Sequence, residues 1–507
     1  MSTADDNYAS WSKPALIERI RQLEARGSQG VSTATAPVSS APSAPSSSTS
    51  RKRAKLPPRP FDFSLHSARP IALQIAYLGH NYHGLASQES DTVPTIESHL
   101  FDALVTARLV PGRKECGWSR CGRTDRGVSA FEQVCGVWVR RREMQSAGSD
   151  ETSPLETCWE TANELDYVLL LNRLLPADIR VLAWSPVHPT FDARFLCTYR
   201  RYKYFFPANG LDIHAMRTAC KSYIGTHDFR NFCKIDPAKS LQSYLRTVLH
   251  ADIRPLGRED DVTYPDVDSD LSLHATTGRA QDPQQIYVFT ITGHAFLWHQ
   301  VRCLTAILLL IGSHLERVSL TSTLLDLTLH PPDAGRPAYD MASEIPLVLV
   351  ECGYKEGTFR WVCGEGERRR VAEGLSAVWE GWAVRAAQAR CLMEKVNPNP
   401  KPNSTATERE EYFYPTLGYG PTTGGGGPTG GKRYIPVMRR PRCDSVEVRI
   451  EKSRVAKGRK AGGVSESAAA PVTPTEMDVD GDGAVDLDVD PPSPLPTTTT
   501  AKRPRVG

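Results

Sequence analysis

The chemistry in this chain concentrates in one short segment: Ser119-Arg120-Cys121-Gly122-Arg123-Thr124-Asp125-Arg126-Gly127-Val128-Ser129-Ala130. It packs three arginines, two glycines and one aspartate into twelve residues directly before a strand-like run. Glycines at 122 and 127 permit a tight loop and close approach of backbone to a ligand. An aspartate flanked by arginines is expected to stay ionised, because positive charge nearby favours the carboxylate. Such a carboxylate is a nucleophile that needs no base to activate it. The same residue types also suit a loop with a structural Asp–Arg pair, and chemistry alone leaves both readings open.

Two further segments carry unusual side chains. Thr198-Tyr199-Arg200-Arg201-Tyr202-Lys203-Tyr204-Phe205-Phe206 alternates aromatics with cations. As a strand it places Arg200, Tyr202, Tyr204 and Phe206 on one face and Tyr199, Arg201, Lys203 and Phe205 on the other. That mixture fits a surface that stacks bases and holds phosphates, or an ordinary strand with aromatic core positions. In Gly293-His294-Ala295-Phe296-Leu297-Trp298-His299-Gln300-Val301-Arg302 a strand gives way to a strongly apolar helix carrying Arg302 in its first two turns. A charge so close to a buried run either snorkels or has a partner, and Asp125 is a candidate partner.

Other patterns fail. Gly426–Gly431-Lys432 has phosphate-loop spacing, but Arg433 stands where Ser or Thr is needed. Asp478, Asp480, Asp482 and Gly483 mimic the start of a calcium loop, yet Val489 occupies the bidentate Glu position. Neither Cys-x-x-Cys nor His-Glu-x-x-His occurs, so no metal site is expected.

These segments need a scaffold, and the rest of the 507 residues indicates one. Strands are expected at Ile71–Leu78, Val134–Val139, Ile179–Trp184, Tyr199–Phe206, Ser243–Ile253, Ile286–Thr292 and Leu347–Glu351. Helices are expected at Thr95–Val105, Leu165–Leu175, Asp228–Cys233 and Phe296–Leu315. The pattern reads as an α+β architecture in two similar halves, 68–207 and 208–395. Polar stretches at 144–162 and 258–284 interrupt it as surface insertions. Residues 1–27 contain an amphipathic helix, 28–67 a Ser/Pro-rich and basic linker, and 396–507 a low-complexity tail. Both ends are expected to be disordered beyond that first helix, and to serve location and RNA capture rather than chemistry.

The net charge is only +3, but it is segregated: residues 432–460 hold eleven Lys/Arg against three Asp/Glu. Arg51–Lys55 and Lys502–Arg505 look like nuclear-import runs, implying nucleus as well as cytoplasm. The longest apolar run, Cys303–Gly312, is too short for a bilayer span of about 20 residues. Twelve scattered cysteines with no secretory leader favour reduced thiols. Membrane and secreted classes are not expected.

Taken in order, the three segments resemble the TruA family of tRNA pseudouridine synthases. Gly122-Arg123-Thr124-Asp125-Arg126-Gly127-Val128-Ser129-Ala130 follows the family's central motif almost residue for residue. Tyr77-Leu78-Gly79-His80-Asn81-Tyr82-His83-Gly84, Phe191-Asp192-Ala193-Arg194-Phe195, Arg201-Tyr202-Lys203-Tyr204 and Phe296–Arg302 also fit, so the likeness spans roughly residues 68–355. Residues Tyr8–Ser12 and the form Cys121–Gly127 look most like the eukaryotic branch that modifies uridines 38/39 of the tRNA anticodon stem-loop. Ser129 departs from the His of many relatives.

The resemblance implies two ferredoxin-like (RRM-like) halves, whose antiparallel sheets flank a basic catalytic cleft, acting as a homodimer on tRNA without a cofactor. It implies Asp125 as nucleophile, Arg123 paired with it, Tyr202 stacked on the flipped uracil, and Arg302 anchoring the carboxylate. Arg126, Arg194, Arg200, Arg201 and Lys203 would contact the RNA.

Overall fold

The computed structural model describes residues 61–87, 93–144, 164–208, 210–234, 243–257, 285–329, 335–396 and 434–445, with 448, 449, 451, 452, 454 and 455. The expected first helix, most of the 28–67 linker, both insertions apart from Met144, and both import-like runs lie outside them.

Strands β1 (His66–Tyr77), β2 (Ser119–Arg120), β3 (Ser129–Met144), β4 (Ile179–Pro186), β5 (Tyr199–Pro207), β6 (Gly225–Asp228), β7 (Leu245–Pro255), β8 (Ile286–Gly293) and β9 (Leu347–Gly353) form one sheet. Its order is β4-β1-β3-β9-β5-β8-β7-β6, with β2 paired to β3. The helices are α1 (Ile96–Thr106), α2 (Tyr167–Asn172), α3 (Ile213–Lys221), α4 (Gln300–Gly312), α5 (Leu320–Leu325) and α6 (Glu365–Val396). This is the α+β class that the alternating patterns indicate.

Among the described residues every strand pairing is antiparallel except one. β3 meets β9 in parallel over just Ser129↔Val348 and Ala130↔Leu349. That short seam joins two antiparallel stretches, each with its own apolar core. One core packs α1 and α2 on β1, β3 and β4 through Leu73, Ile75, Leu100 and Leu171. The other packs α3 and α4 on β5, β7 and β8 through Phe206, Ile253, Phe289, Met216 and Ile307. α4 is apolar all round and buried on every side, as such a helix must be, and Arg302 is its one residue not fully buried.

Several elements differ from the sequence reading. β1 begins at His66, inside the expected linker, where Phe61 stacks on His66 at 5.1 Å and meets Phe63 edge-on at 4.9 Å. α3 was not anticipated, because its Thr, Cys and His are weak helix formers; the Asp212 side chain starts it by accepting from the Ala215 amide at 2.9 Å. α6 escapes a pattern search because it is largely exposed, with Val371 the one buried side chain among its described apolar residues. α4 starts at Gln300 rather than Phe296, since His299 before it takes a left-handed conformation (φ 59°). Finally, Tyr434–Ser445 does not share the unstructured character expected of 396–507: Val437 is fully buried in the second core.

A buried charge cluster ties α3 to β7. Asp252 accepts from Arg217 Nε at 3.2 Å and Arg254 Nε at 2.8 Å, and Arg217 is only 1% exposed. Burial alone would raise the Asp252 carboxyl, but Arg254 and Arg217 outweigh it and hold the group below its ordinary range. Its contribution to stability is therefore complete above the unfolded pKa of about 3.9 and lost as pH falls below it. Asp252→Asn removes the counter-charge from a buried guanidinium and is expected to destabilise the fold by about 3–5 kcal/mol. Urea unfolding at neutral pH measures this; a change within error would show that the cluster is already neutralised by other means.

Candidate active site

The loop Cys121–Val128 leaves β2 and enters β3 at the seam. Its backbone is bonded at nearly every step. The Cys121 amide donates to the Val134 carbonyl (2.9 Å), and the Cys121 carbonyl accepts from Arg200 (2.8 Å). The Gly122 carbonyl accepts from Gln133 Nε2 (2.7 Å), and Thr124 shares a buried hydroxyl hydrogen bond with Tyr77 (2.7 Å). The segment after β1 grips the same loop from the other side, through Leu85 N to the Thr124 carbonyl and Gly127 N to the Tyr82 carbonyl, both 3.1 Å. Ser129, the departure from the common pattern, accepts from the Gly79 amide at 2.9 Å. Gly127 itself needs to be glycine: its φ is +79°, and a Cβ there would lie 2.7 Å from Glu344 Cγ.

This fixation holds Asp125 at the loop's apex with its side chain about one third exposed (32%). Arg123 and Arg126 on either side are exposed. Across the seam one row of the sheet runs Ala130↔Leu349↔Tyr202, so β9 is the only strand between the loop's exit and Tyr202. The β5–β9 register shifts between Arg201 and Tyr202, a bulge that re-aims side chains beside the loop. Tyr204 and Phe206, on the Tyr202 face, are buried, as the two-residue alternation requires. Tyr202 is half-buried, edge-on to Phe296 at 5.3 Å, and touches both cores. Burial raises its phenol; Arg200 opposes this, while the Asp125 charge adds to it, so the hydroxyl is protonated at neutral pH.

His299 lies against the Asp125 carboxylate, with Nε2 3.4 Å from Oδ2. The left-handed turn before α4 aims it there, and its ring stacks on Trp298 at 4.5 Å. Burial, with the charges of Arg302, Lys234 and Arg336, pushes His299 down to about 3, so it is neutral across the physiological range. Its Nδ1 is buried without a hydrogen-bond partner among the described residues, which fits a lone pair on Nδ1 and the proton on Nε2. Sequence reasoning passed over His299 although it lies in the Phe296–Arg302 segment, because nothing local in the sequence announces the left-handed turn.

Arg302 donates through Nε to the Ala342 carbonyl (2.8 Å) and through Nη2 to Glu344 (2.8 Å), and its charge acts on His299. The structure thus brings Asp125, Tyr202, His299 and Arg302 into one neighbourhood. Two of the arginines expected to contact RNA have acceptors within the protein. Arg200 donates to the carbonyls of Cys121, Arg194 and His294, which makes it a clamp between β5 and the loop. Arg201 is ion-paired with Glu351 at 2.9 Å. A guanidinium offers the same donors to a carbonyl, a carboxylate or a phosphate, so sequence could not separate these roles. Arg194 is exposed beside Phe195, itself 66% exposed, and Lys203 is half-buried. Phe195 and the partly exposed Trp298, each with a cation over its ring, present aromatic faces at the rim.

No group of His, Cys, Asp or Glu among the described residues is arranged to hold a metal ion, and no described helix is long and apolar enough to cross a membrane. The arrangement sets a partly exposed carboxylate beside a neutral imidazole, a protonated phenol and flanking cations.

Residues 219–355 match the family described as tRNA pseudouridine synthase. The tRNA pseudouridine(38/39) synthase of Homo sapiens is 38% identical over 411 residues, covering 78% of this chain and 78% of that protein. The Saccharomyces cerevisiae protein of the same name is 38% identical over 361 residues, 70% of this chain and 74% of its own length. A tRNA pseudouridine synthase A from Methanothrix thermoacetophila is 28% identical over 318 residues, 60% of this chain and 95% of its own. With the motif, the site geometry and this extent of similarity in agreement, the chain belongs to the TruA-type tRNA pseudouridine synthases.

Proposed function

We propose that this chain isomerises uridine to pseudouridine in the tRNA anticodon stem-loop, at the positions 38/39 for which its relatives are named, with Asp125 as the nucleophile. The observation that carries the reading is the partly exposed Asp125 carboxylate on a loop bonded at nearly every step, with His299 against it and Tyr202 within reach of its charge.

In the reaction the N1–C1′ bond breaks, the uracil turns, a C1′–C5 bond forms, and the proton that leaves C5 is matched by one taken up at N1. The change is a redox-neutral isomerisation and calls for no cofactor. Extruding the base costs a few kcal/mol. Stacking on the Tyr202 ring, worth about 1–3 kcal/mol per base, offsets much of that. Arg123 fills the gap left in the stem-loop, while Arg126, Arg194 and Lys203 meet phosphates. Because the Tyr202 phenol is protonated, it moves the C5 proton as a relay, taking one proton while passing its own on, rather than as a phenolate base. Arg302 acts one step back from the carboxylate through Glu344 and His299.

His299 is a positioning residue in this scheme, its Nε2–H holding the Asp125 carboxylate in one orientation. His299→Leu is expected to slow the single-turnover rate roughly 10- to 10²-fold, the worth of a hydrogen bond to a charged group. His299→Gln, which keeps an N–H, recovers part of it. Between pH 5 and 8 the wild-type rate carries no inflection from His299, since it is neutral throughout. A Leu variant as fast as wild type removes His299 from the site.

The reading extends to two ferredoxin-like halves, to halves bounded at 68–207 and 208–395, to a homodimer presenting tRNA across both subunits, and to residence in nucleus and cytoplasm. Tritium release from C5-labelled uridine in tRNA, with the product positions mapped, tests the central claim. Binding without release would make the chain a non-catalytic RNA-binding protein, and pseudouridine elsewhere would move the target.

A further inference from the structure

The chain between Gly335 and Leu347 has two neighbours that matter. At one end it touches the catalytic loop: Ala342 and Arg302 exchange two hydrogen bonds, Arg302 holds Glu344, and Glu344 Cγ lies so close to Gly127 that a Cβ there would clash at 2.7 Å. At the other end it pairs with Tyr434–Ser445. The Cys443 amide donates to the Arg336 carbonyl (2.8 Å), the Ala338 amide to the Pro441 carbonyl (3.0 Å), and Arg442 to the Gly335 carbonyl (3.1 Å). Gly335 (φ +64°) passes so near Cys443 that a Cβ would sit 2.0 Å from its carbonyl oxygen.

Tyr434–Ser445 is itself fastened to the second core. Glu316, just beyond α4, accepts from the Tyr434 hydroxyl (2.7 Å) and the Val437 amide (2.6 Å), and Val437 is fully buried there. Arg440 closes the segment on itself by donating to the Ile435 carbonyl over the Tyr434 ring. Between the two ends Arg336 lies over Tyr339, whose hydroxyl donates to the Asn231 carbonyl at 2.6 Å.

We propose that Tyr434–Ser445 is a positioning strap of the catalytic unit, clamped by Glu316 and holding Gly335–Leu347 so that Glu344 and Arg302 brace the loop that carries Asp125. The strap touches none of the reacting atoms; it acts through residues 335–347. The proposal rests on the reading of Asp125 as the catalytic carboxylate. It departs from the expectation that the tail serves location and RNA capture alone.

The test compares the full chain with a chain ending at Lys432 and with full-length Glu316→Ala and Glu316→Gln, on an anticodon stem-loop tRNA substrate. Wild-type turnover is measured first, and its absence would sink the functional reading rather than the strap. For each variant the tRNA affinity, the melting temperature and the single-turnover rate at saturating tRNA are recorded, the rate well below the melting temperature. The shortened chain and Glu316→Ala are expected to lose about 10- to 10²-fold in rate, the scale for a small misplacement of reacting groups, with affinity nearly unchanged. Glu316→Gln, which keeps one accepting oxygen, recovers much of the rate. A synthetic 432–455 peptide added in trans restores the shortened chain.

Arg439, Arg440 and Arg442 offer the opposite outcome. If the variants run at the wild-type rate once tRNA saturates, with affinity weakened and its salt dependence reduced, the segment is an RNA contact and the strap is overturned. A wild-type rate with unchanged affinity overturns it too. Should the shortened chain fail to fold, the two Glu316 variants decide by the same readouts.

Discussion

Asp125→Asn is expected to abolish isomerisation while leaving tRNA bound. The amide keeps the size and much of the hydrogen bonding of the carboxylate, so the loop, fastened through Cys121, Gly122, Thr124 and Gly127, keeps its course. An amide is not a nucleophile, however, and Asp125→Ala lacks even the shape. Both should fall by on the order of 10⁴-fold or more, the range seen when a nucleophile is removed. Affinity should hold or rise slightly, because phosphate contacts dominate tRNA binding and one negative charge has gone from the cleft. Filter binding and single-turnover tritium release separate the two effects. Turnover by either variant within about 10²-fold of wild type would take Asp125 out of the nucleophile's role.

Tyr202 should carry the second largest effect, and on rate rather than binding. Tyr202→Phe keeps the ring edge-on to Phe296 and loses only the hydroxyl, whereas Tyr202→Leu loses both stacking and proton transfer. General acid–base assistance is worth about 10²–10⁴-fold, so the Phe variant should slow by that range with tRNA affinity nearly unchanged. The Leu variant should slow further and extrude the base less readily. Tyr204→Phe is the control: Tyr204 shares the strand face but is fully buried, and the loss of its hydroxyl should leave the rate untouched. The idea fails if Tyr202→Phe runs at the wild-type rate; the tyrosine is then a stacking platform and another group carries the proton.

What could be read without coordinates was whatever is local. Alternation along Tyr199–Phe206 put Tyr204 and Phe206 on the face of Tyr202, where both prove buried, and the density of Arg, Gly and Asp at 119–130 singled out the loop. What stayed hidden depends on partners far away in sequence. His299 meets Asp125 only through a left-handed turn, and turn conformations of that kind have no signature in a histidine. Nor does the sequence reveal the acceptors that Arg200 and Arg201 find within the protein, backbone carbonyls and Glu351. Tyr434–Ser445 sits in a stretch of low apolar content, and a single buried valine with two backbone hydrogen bonds to residues a hundred positions upstream leaves no periodic trace. Helix α6 hides for the reverse reason: with most of its surface in solvent, no apolar stripe marks it out.

The seam between β3 and β9 has a mechanical meaning. Two residue pairs, Ser129↔Val348 and Ala130↔Leu349, are all the ladder that connects the two antiparallel stretches among the described residues. A sheet bends most easily where its ladder is shortest, so a folded tRNA arm pressing on both stretches would flex the protein about that line. Points far from a fulcrum travel most, and points beside it hardly move. Asp125, five residues before Ala130, and Tyr202, one strand beyond Leu349, flank the fulcrum, so such bending would change their spacing least.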